Sequence, residues 1–180
     1  MGLLGLFSRK PHERTGFELY AAAVAEARQA PFFADLGVPD TLDGRFDLVS
    51  VHVALLIRRL RRDADPRGKH LAQAVFDAMF ADMDVNLREM GVGDLSVGKR
   101  VKRMWEAFHG RAAAYEAALD AGDEAALAEA LSRNVWRGAA AEGVAQRLAA
   151  RAVALDAALA AQPFEALVAG RIAFPPLAAL

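Results

Sequence analysis

Apolar residues across 70–119 recur at steps of three and four: first Phe76, Phe80, Met83, Leu87 and Met90, then Val101, Met104, Trp105, Phe108, Ala112, Tyr115 and Leu119. Such spacing keeps one stripe of a helix facing inward, so two amphipathic helices are predicted. Between them, Gly91-Val92-Gly93-Asp94-Leu95-Ser96 offers glycines that tolerate positive φ where a helix stops, and Asp94 and Ser96 as candidate N-caps for the next. The result is a helical hairpin with an acidic, Met-rich first arm and a basic, aromatic second one. Segment 16–30 carries Phe17, Tyr20, Ala23, Val24 and Ala27 on one side and is expected to stop at Pro31, which has no amide donor. Proline and glycine punctuate 32–45, which reads as a loop.

Segment 46–62 is apolar almost all round, through Leu48, Val49, Val51, Val53, Leu55, Leu56, Ile57 and Leu60. A helix without a polar face belongs in the middle of a bundle. Gly122 and Asp123 form a stop-and-restart signal before helices predicted over 123–136 and 139–161. No strand-length alternation, internal repeat or interdomain linker interrupts the series. The pattern therefore predicts an all-α, single-domain helical bundle over 16–163, with a flexible tail at 1–15 and a C-terminal tail at 164–180. Val49, Val53, Leu56, Phe80, Met83, Leu87, Trp105 and Phe108 are expected to share its core.

Composition narrows the chemistry. With 180 residues, a net charge of −1 and no cysteine, the chain is long enough for one proper core. It has no means of forming disulfides, thiolate nucleophiles or cysteine-held metal sites. No apolar run approaches the roughly 20 residues a bilayer crossing needs, so a soluble or peripheral protein is expected, and the arginine- and alanine-rich composition fits a reducing cytoplasm. The opening Met1-Gly-Leu-Leu-Gly-Leu-Phe7 is followed by Arg9 and Lys10, the reverse of the charge order of an export signal. Two readings of it stand: a disordered tail, or an interfacial anchor with Leu3, Leu4, Leu6 and Phe7 dipping among headgroups that Arg9 and Lys10 meet.

Catalytic signatures are missing. Asp82-Met-Asp84-Val-Asn86 has the spacing of the first ligands of a calcium loop, but Leu87 stands at the turn-glycine position and Gly93 at the bidentate-glutamate position. Pairing of Asp84 with Arg88 one turn on, with Asp82, Asn86 and Glu89 outward, is the expectation. His12, His52, His70 and His109 lack zinc-site spacing, and His52 falls in the apolar sweep of the central helix, where a hydrogen-bonded core histidine is expected. A non-enzyme without cofactor or metal follows. The basic residues are more telling: Lys99, Arg100, Lys102 and Arg103 fall in the opening turns of the second hairpin arm, where cations oppose the helix dipole. By contrast Arg58, Arg59, Arg61 and Arg62 end a helix, where they complement it.

The hairpin residues also carry a resemblance. The pattern Phe76-x-x-x-Phe80-x-Asp82-Met83-Asp84-x-Asn86-Leu87-Arg88-Glu89-Met90-Gly91, then Val97-Gly98-Lys99 and Phe108-x-Gly110-Arg111-x-x-x-Tyr115, resembles that of the ubiquinol-cytochrome c chaperone family. Val51-His52 with Arg58 and Arg59, and Leu131-x-Arg133-Asn134-Val135, fit as well. The chain looks like a bacterial relative of the mitochondrial assembly factors for cytochrome b. The resemblance implies a helical chaperone that engages nascent cytochrome b near the ribosome or membrane. Its partner-binding candidates are Arg58, Arg59, Lys99, Arg100, Lys102, Arg103 and Arg111, facing ribosomal RNA or an anionic membrane surface, while an apolar, Met-rich edge holds the client. The competing expectation from the same basic patch is an RNA-binding helical module.

Overall fold

The computed structural model describes residues 12–177, in which eight helices and no strand are formed. They are α1 (Glu13–Ala27), α2 (Ala30–Ala34), α3 (Leu42–Arg61), α4 (Arg67–Glu89), α5 (Asp94–Ala121), α6 (Glu124–Val135), α7 (Val144–Ala160) and α8 (Phe164–Val168). The all-α bundle is as the periodicity predicts. The apolar segment is its axis: α3 packs against α1, α4, α5, α6 and α7, and Leu48, Val53, Leu56 and Leu60 are wholly excluded from solvent. His52 lies there as expected, its Nδ1 2.8 Å from the Leu48 carbonyl and its ring edge-on to Phe32. Burial holds its pKa below the ordinary histidine value by penalising the charged ring.

Element ends differ from the sequence expectation where caps and turns decide. Helix α1 stops at Ala27, and Pro31 falls in the first turn of α2, where a missing amide costs nothing. Thr41 starts α3 four residues earlier than apolarity suggests, its hydroxyl accepting from the Gly44 amide at 3.1 Å. At the far end, α7 begins only at Val144, after a turn through Arg137 and Gly138, both at positive φ.

Helices α1 and α4 approach closely because Gly16 lies on Ala74; a Cβ there would sit 2.6 Å from the Ala74 backbone. Tyr20 of α1 then donates to the Asp82 carboxylate of α4 at 2.6 Å. Asp82 is thus a tie between helices rather than an outward charge, whereas Asp84 and Arg88 pair at 2.6 Å as expected. The ends of the described stretch also join the bundle. Residues 13–15 are helical, and Leu167, Ile172, Phe174 and Leu177 pack on the core. The apolar opening segment lies outside the described residues.

Candidate partner-binding surface

The α4–α5 hairpin is closed by backbone geometry. Gly91 at φ 78° lets the Val92 amide reach the Leu87 carbonyl and the Gly91 amide reach that of Arg88, which together end α4. Gly93, without a side-chain cap, is the N-cap of α5, and its carbonyl accepts from Ser96 and Val97. Neither Asp94 nor Ser96 caps the helix. Asp94 is the first residue of α5 and pairs instead with Arg88 at 2.5 Å, so Arg88 bridges Asp84 and Asp94 across the turn. Because α5 starts at Asp94, the four cations fall in its second and third turns, beyond the first-turn reach of the dipole.

Lys99, Arg100, Lys102 and Arg103 are all exposed. Lys102 lies 3.9 Å from Glu106, and the other three form no ion pair among the described residues. The remaining candidates are placed otherwise. Arg58 is buried in a cluster with Asp120 at 2.6 Å, Asp156 at 3.1 Å and Glu116 at 3.8 Å, joining α3 to α5 and α7. Hydrogen bonding to Arg58, aided by Arg62, holds the Asp120 carboxyl below its usual range. Arg59 donates to the Leu159 and Gln162 carbonyls at the end of α7 and pairs with Asp63. Arg111 meets Asp47 at 2.6 Å and lies over the Phe46 ring. These three hold helices together, and of the seven candidate cations the four on α5 are the exposed ones.

Asp47 is a residue the sequence reading passed over. It is 1% exposed on α3 and gathers Arg111 from α5 and Arg137 from the turn after α6, the latter at 2.8 Å. Burial pushes its carboxyl up against the pull of the two guanidinium groups. As the one acid in the apolar 46–62 segment, Asp47 was the available signal, and it forecasts an internal partner. Buried Glu26 and partly buried Arg151, 2.8 Å apart, form a second such tie between α1 and α7.

Two clefts flank α5. On one side Ile57, Arg61, Lys69, Phe76, Trp105 and His109 line a cleft of about 750 Å³. Phe76 and Phe108, 5.7 Å apart between ring centroids, are among its lining, with Phe80 packed on Phe76 at 4.7 Å; Trp105 and His109 lie over one another at 4.0 Å. Trp105, expected in the core, is 45% exposed here, and Phe80 is half-buried; Val49, Val53, Leu56, Met83, Leu87 and Phe108 are buried as expected. On the other side Leu42, Phe46, Leu87, Arg100, Arg103 and Met104 line a cleft of about 340 Å³. At the tip, Leu95 is 93% and Met90 58% exposed. Among the described residues no three histidine or acidic side chains converge as a metal site, and no helix is long and apolar enough to cross a membrane.

The model of the ubiquinol-cytochrome C chaperone family matches residues 34–174, from the end of α2 to beyond α8. The chain belongs to that family. A crystal structure of the Cbp3 homolog from Brucella abortus is similar at a TM-score of 0.82 with 40% sequence identity, over 93% of this chain and 92% of that one. Ubiquinol-cytochrome-c reductase complex assembly factor 1 from Xenopus laevis is 25% identical over 117 residues, 65% of this chain and 58% of its own length. The Drosophila melanogaster protein of the same name is 25% identical over 126 residues, 68% of this chain and 48% of its own. The chain thus spans about half the length of these curated relatives. The family match covers the hairpin, the Asp47 cluster and the Arg58 cluster together, so the clefts beside α5 belong to the part that this chain shares with its relatives.

Proposed function

We propose that this protein is an assembly chaperone for ubiquinol-cytochrome c reductase and that its client is newly made cytochrome b. The observation that carries the reading is the family match across 34–174, supported by two relatives named as assembly factors of that complex. The geometry suits client handling rather than a reaction. An open cleft with aromatic walls and a half-exposed Trp105 holds an apolar segment by area and ring contact, without demanding one sequence. Arg61 and Lys69 at its rim would meet the polar ends of such a segment. The four exposed cations of α5 face a polyanion, ribosomal RNA or anionic lipid, close to where a membrane client emerges.

Exposed aromatic surface at Trp105 distinguishes a gripping site from a core residue. A photoreactive phenylalanine at Trp105 should crosslink cytochrome b in respiring cells, while the same probe at exposed Ala139, away from the cleft, should not. Crosslinks to unrelated proteins only, or equal yields at both positions, would remove cytochrome b as the client.

A further inference from the structure

We propose that the tip of the α4–α5 hairpin docks on an anionic lipid bilayer, with Leu95 and Met90 entering the boundary between headgroups and acyl chains and Lys99 and Lys102 meeting lipid phosphates. The proposal rests on the α5 cations being a partner surface, and it selects their partner. On α5, successive residues turn by about 100°, so Leu95, Lys99 and Lys102 fall within one stripe about 60° wide. That stripe is opposite the face on which Val97 and Phe108 are buried. An aliphatic side chain 93% exposed one turn from a lysine with no ion pair is a poor arrangement for water and a suitable one for an interface. Met90, the C-cap residue of α4, lies across the tight turn and adds a second apolar group to the same end.

Charge at the tip agrees. Asp84 and Asp94, the carboxylates that would repel a phosphate, are tied to Arg88, and Glu106 lies beside Lys102 further down the helix. Glu89 is the remaining exposed acid of the turn, against four cations. An RNA partner would use the cations and stack bases on rings, but the exposed ring nearest them, Trp105, lies over His109, and the residue in line with the lysines is leucine. Juxtaposed aliphatic and cationic groups fit a bilayer, whose affinity combines buried apolar area with attraction to anionic headgroups.

Flotation of the purified full chain with vesicles tests this. The compared surfaces are pure phosphatidylcholine and phosphatidylcholine mixed with phosphatidylglycerol, with a single-stranded RNA oligonucleotide as competitor. The wild-type chain should float with the mixed vesicles and far less with the neutral ones. Leu95→Glu and the double change Lys99→Glu, Lys102→Glu should each weaken that binding about tenfold or more, with helical circular dichroism unchanged. Equal binding to both vesicle types, unaltered binding by Leu95→Glu, or full displacement by RNA would overturn the proposal; the last two would point respectively to another segment and to a nucleic-acid partner. Since no client is present, the result is separable from the chaperone reading, which depends on reductase levels in cells.

Discussion

At the scale of single residues, the interior of the described bundle is held at three places by arginine and carboxylate pairs that apolar periodicity does not announce. Asp47 is the most enclosed. Replacing it with alanine leaves Arg111 and Arg137 without their shared partner, one of them largely buried, and breaking such a pair costs about 3 kcal/mol. Asp47→Ala should therefore lower the urea midpoint markedly without changing the slope; a loss within about 0.5 kcal/mol would show that the pairs are solvated and incidental. His52 gives the pH dependence. Burial depresses its folded pKa, so the unfolded chain takes the proton more readily. The stability from the neutral ring is present above the ordinary value near 6.5 and is lost as pH falls from there toward the folded value, by up to about 1.4 kcal/mol per pH unit. The Leu48 carbonyl and Glu26 favour the charged ring and moderate the shift, whereas Arg151 adds to it. Urea unfolding between pH 7 and pH 5 should show that decline, and His52→Gln should flatten it.

At the scale of elements, the C-terminal stretch is the segment whose role changes most between sequence and structure. The sequence reads 164–180 as a C-terminal tail, but Phe174 packs edge-on to His52, and the carbonyls of Pro175 and Pro176 accept from Arg151, the partner of Glu26. Ending the chain after Ala173 should cost about 2 kcal/mol, seen as a melting temperature lower by roughly 5 °C. An unchanged melting temperature would make these contacts ornamental.

Legibility varied with what each element depends on. Helix α3 was readable because burial on all sides leaves an unmistakable apolar run, and the Gly122–Asp123 break because cap chemistry is local: the Asp123 side chain accepts from Ala126 at 2.9 Å. Trp105 was misplaced for a different reason. It lies about 60° round the helix from Phe108, at the edge of a wide apolar stripe, and whether an edge is covered depends on neighbours that periodicity does not contain. Arg58, Arg59 and Arg111 read as partner cations because their internal acids, Asp120, Asp156, Asp63 and Asp47, lie on other turns or other helices. Fold class was therefore legible, and the division of arginines between core ties and open surface was not.

At the scale of the whole molecule, one long hairpin arm carries both features ascribed to function: the aromatic cleft with Trp105 on one flank, and the exposed cations with Leu95 near its start. The rest of the bundle, through Arg58 and Arg111, fixes the C-terminal half of that arm against α3, while its N-terminal half lies beside α4 with the start of α3 across the smaller cleft. On the proposed function, the client groove and the docking tip would lie on one helix, α5. The most direct test of that account is the level of assembled ubiquinol-cytochrome c reductase in a strain deleted for this protein and grown under conditions that demand respiration. The account predicts that cytochrome b absorbance and reductase activity fall together while unrelated respiratory complexes persist, with restoration by the wild-type gene. Unchanged cytochrome b spectra and reductase activity in the deletion strain would contradict it.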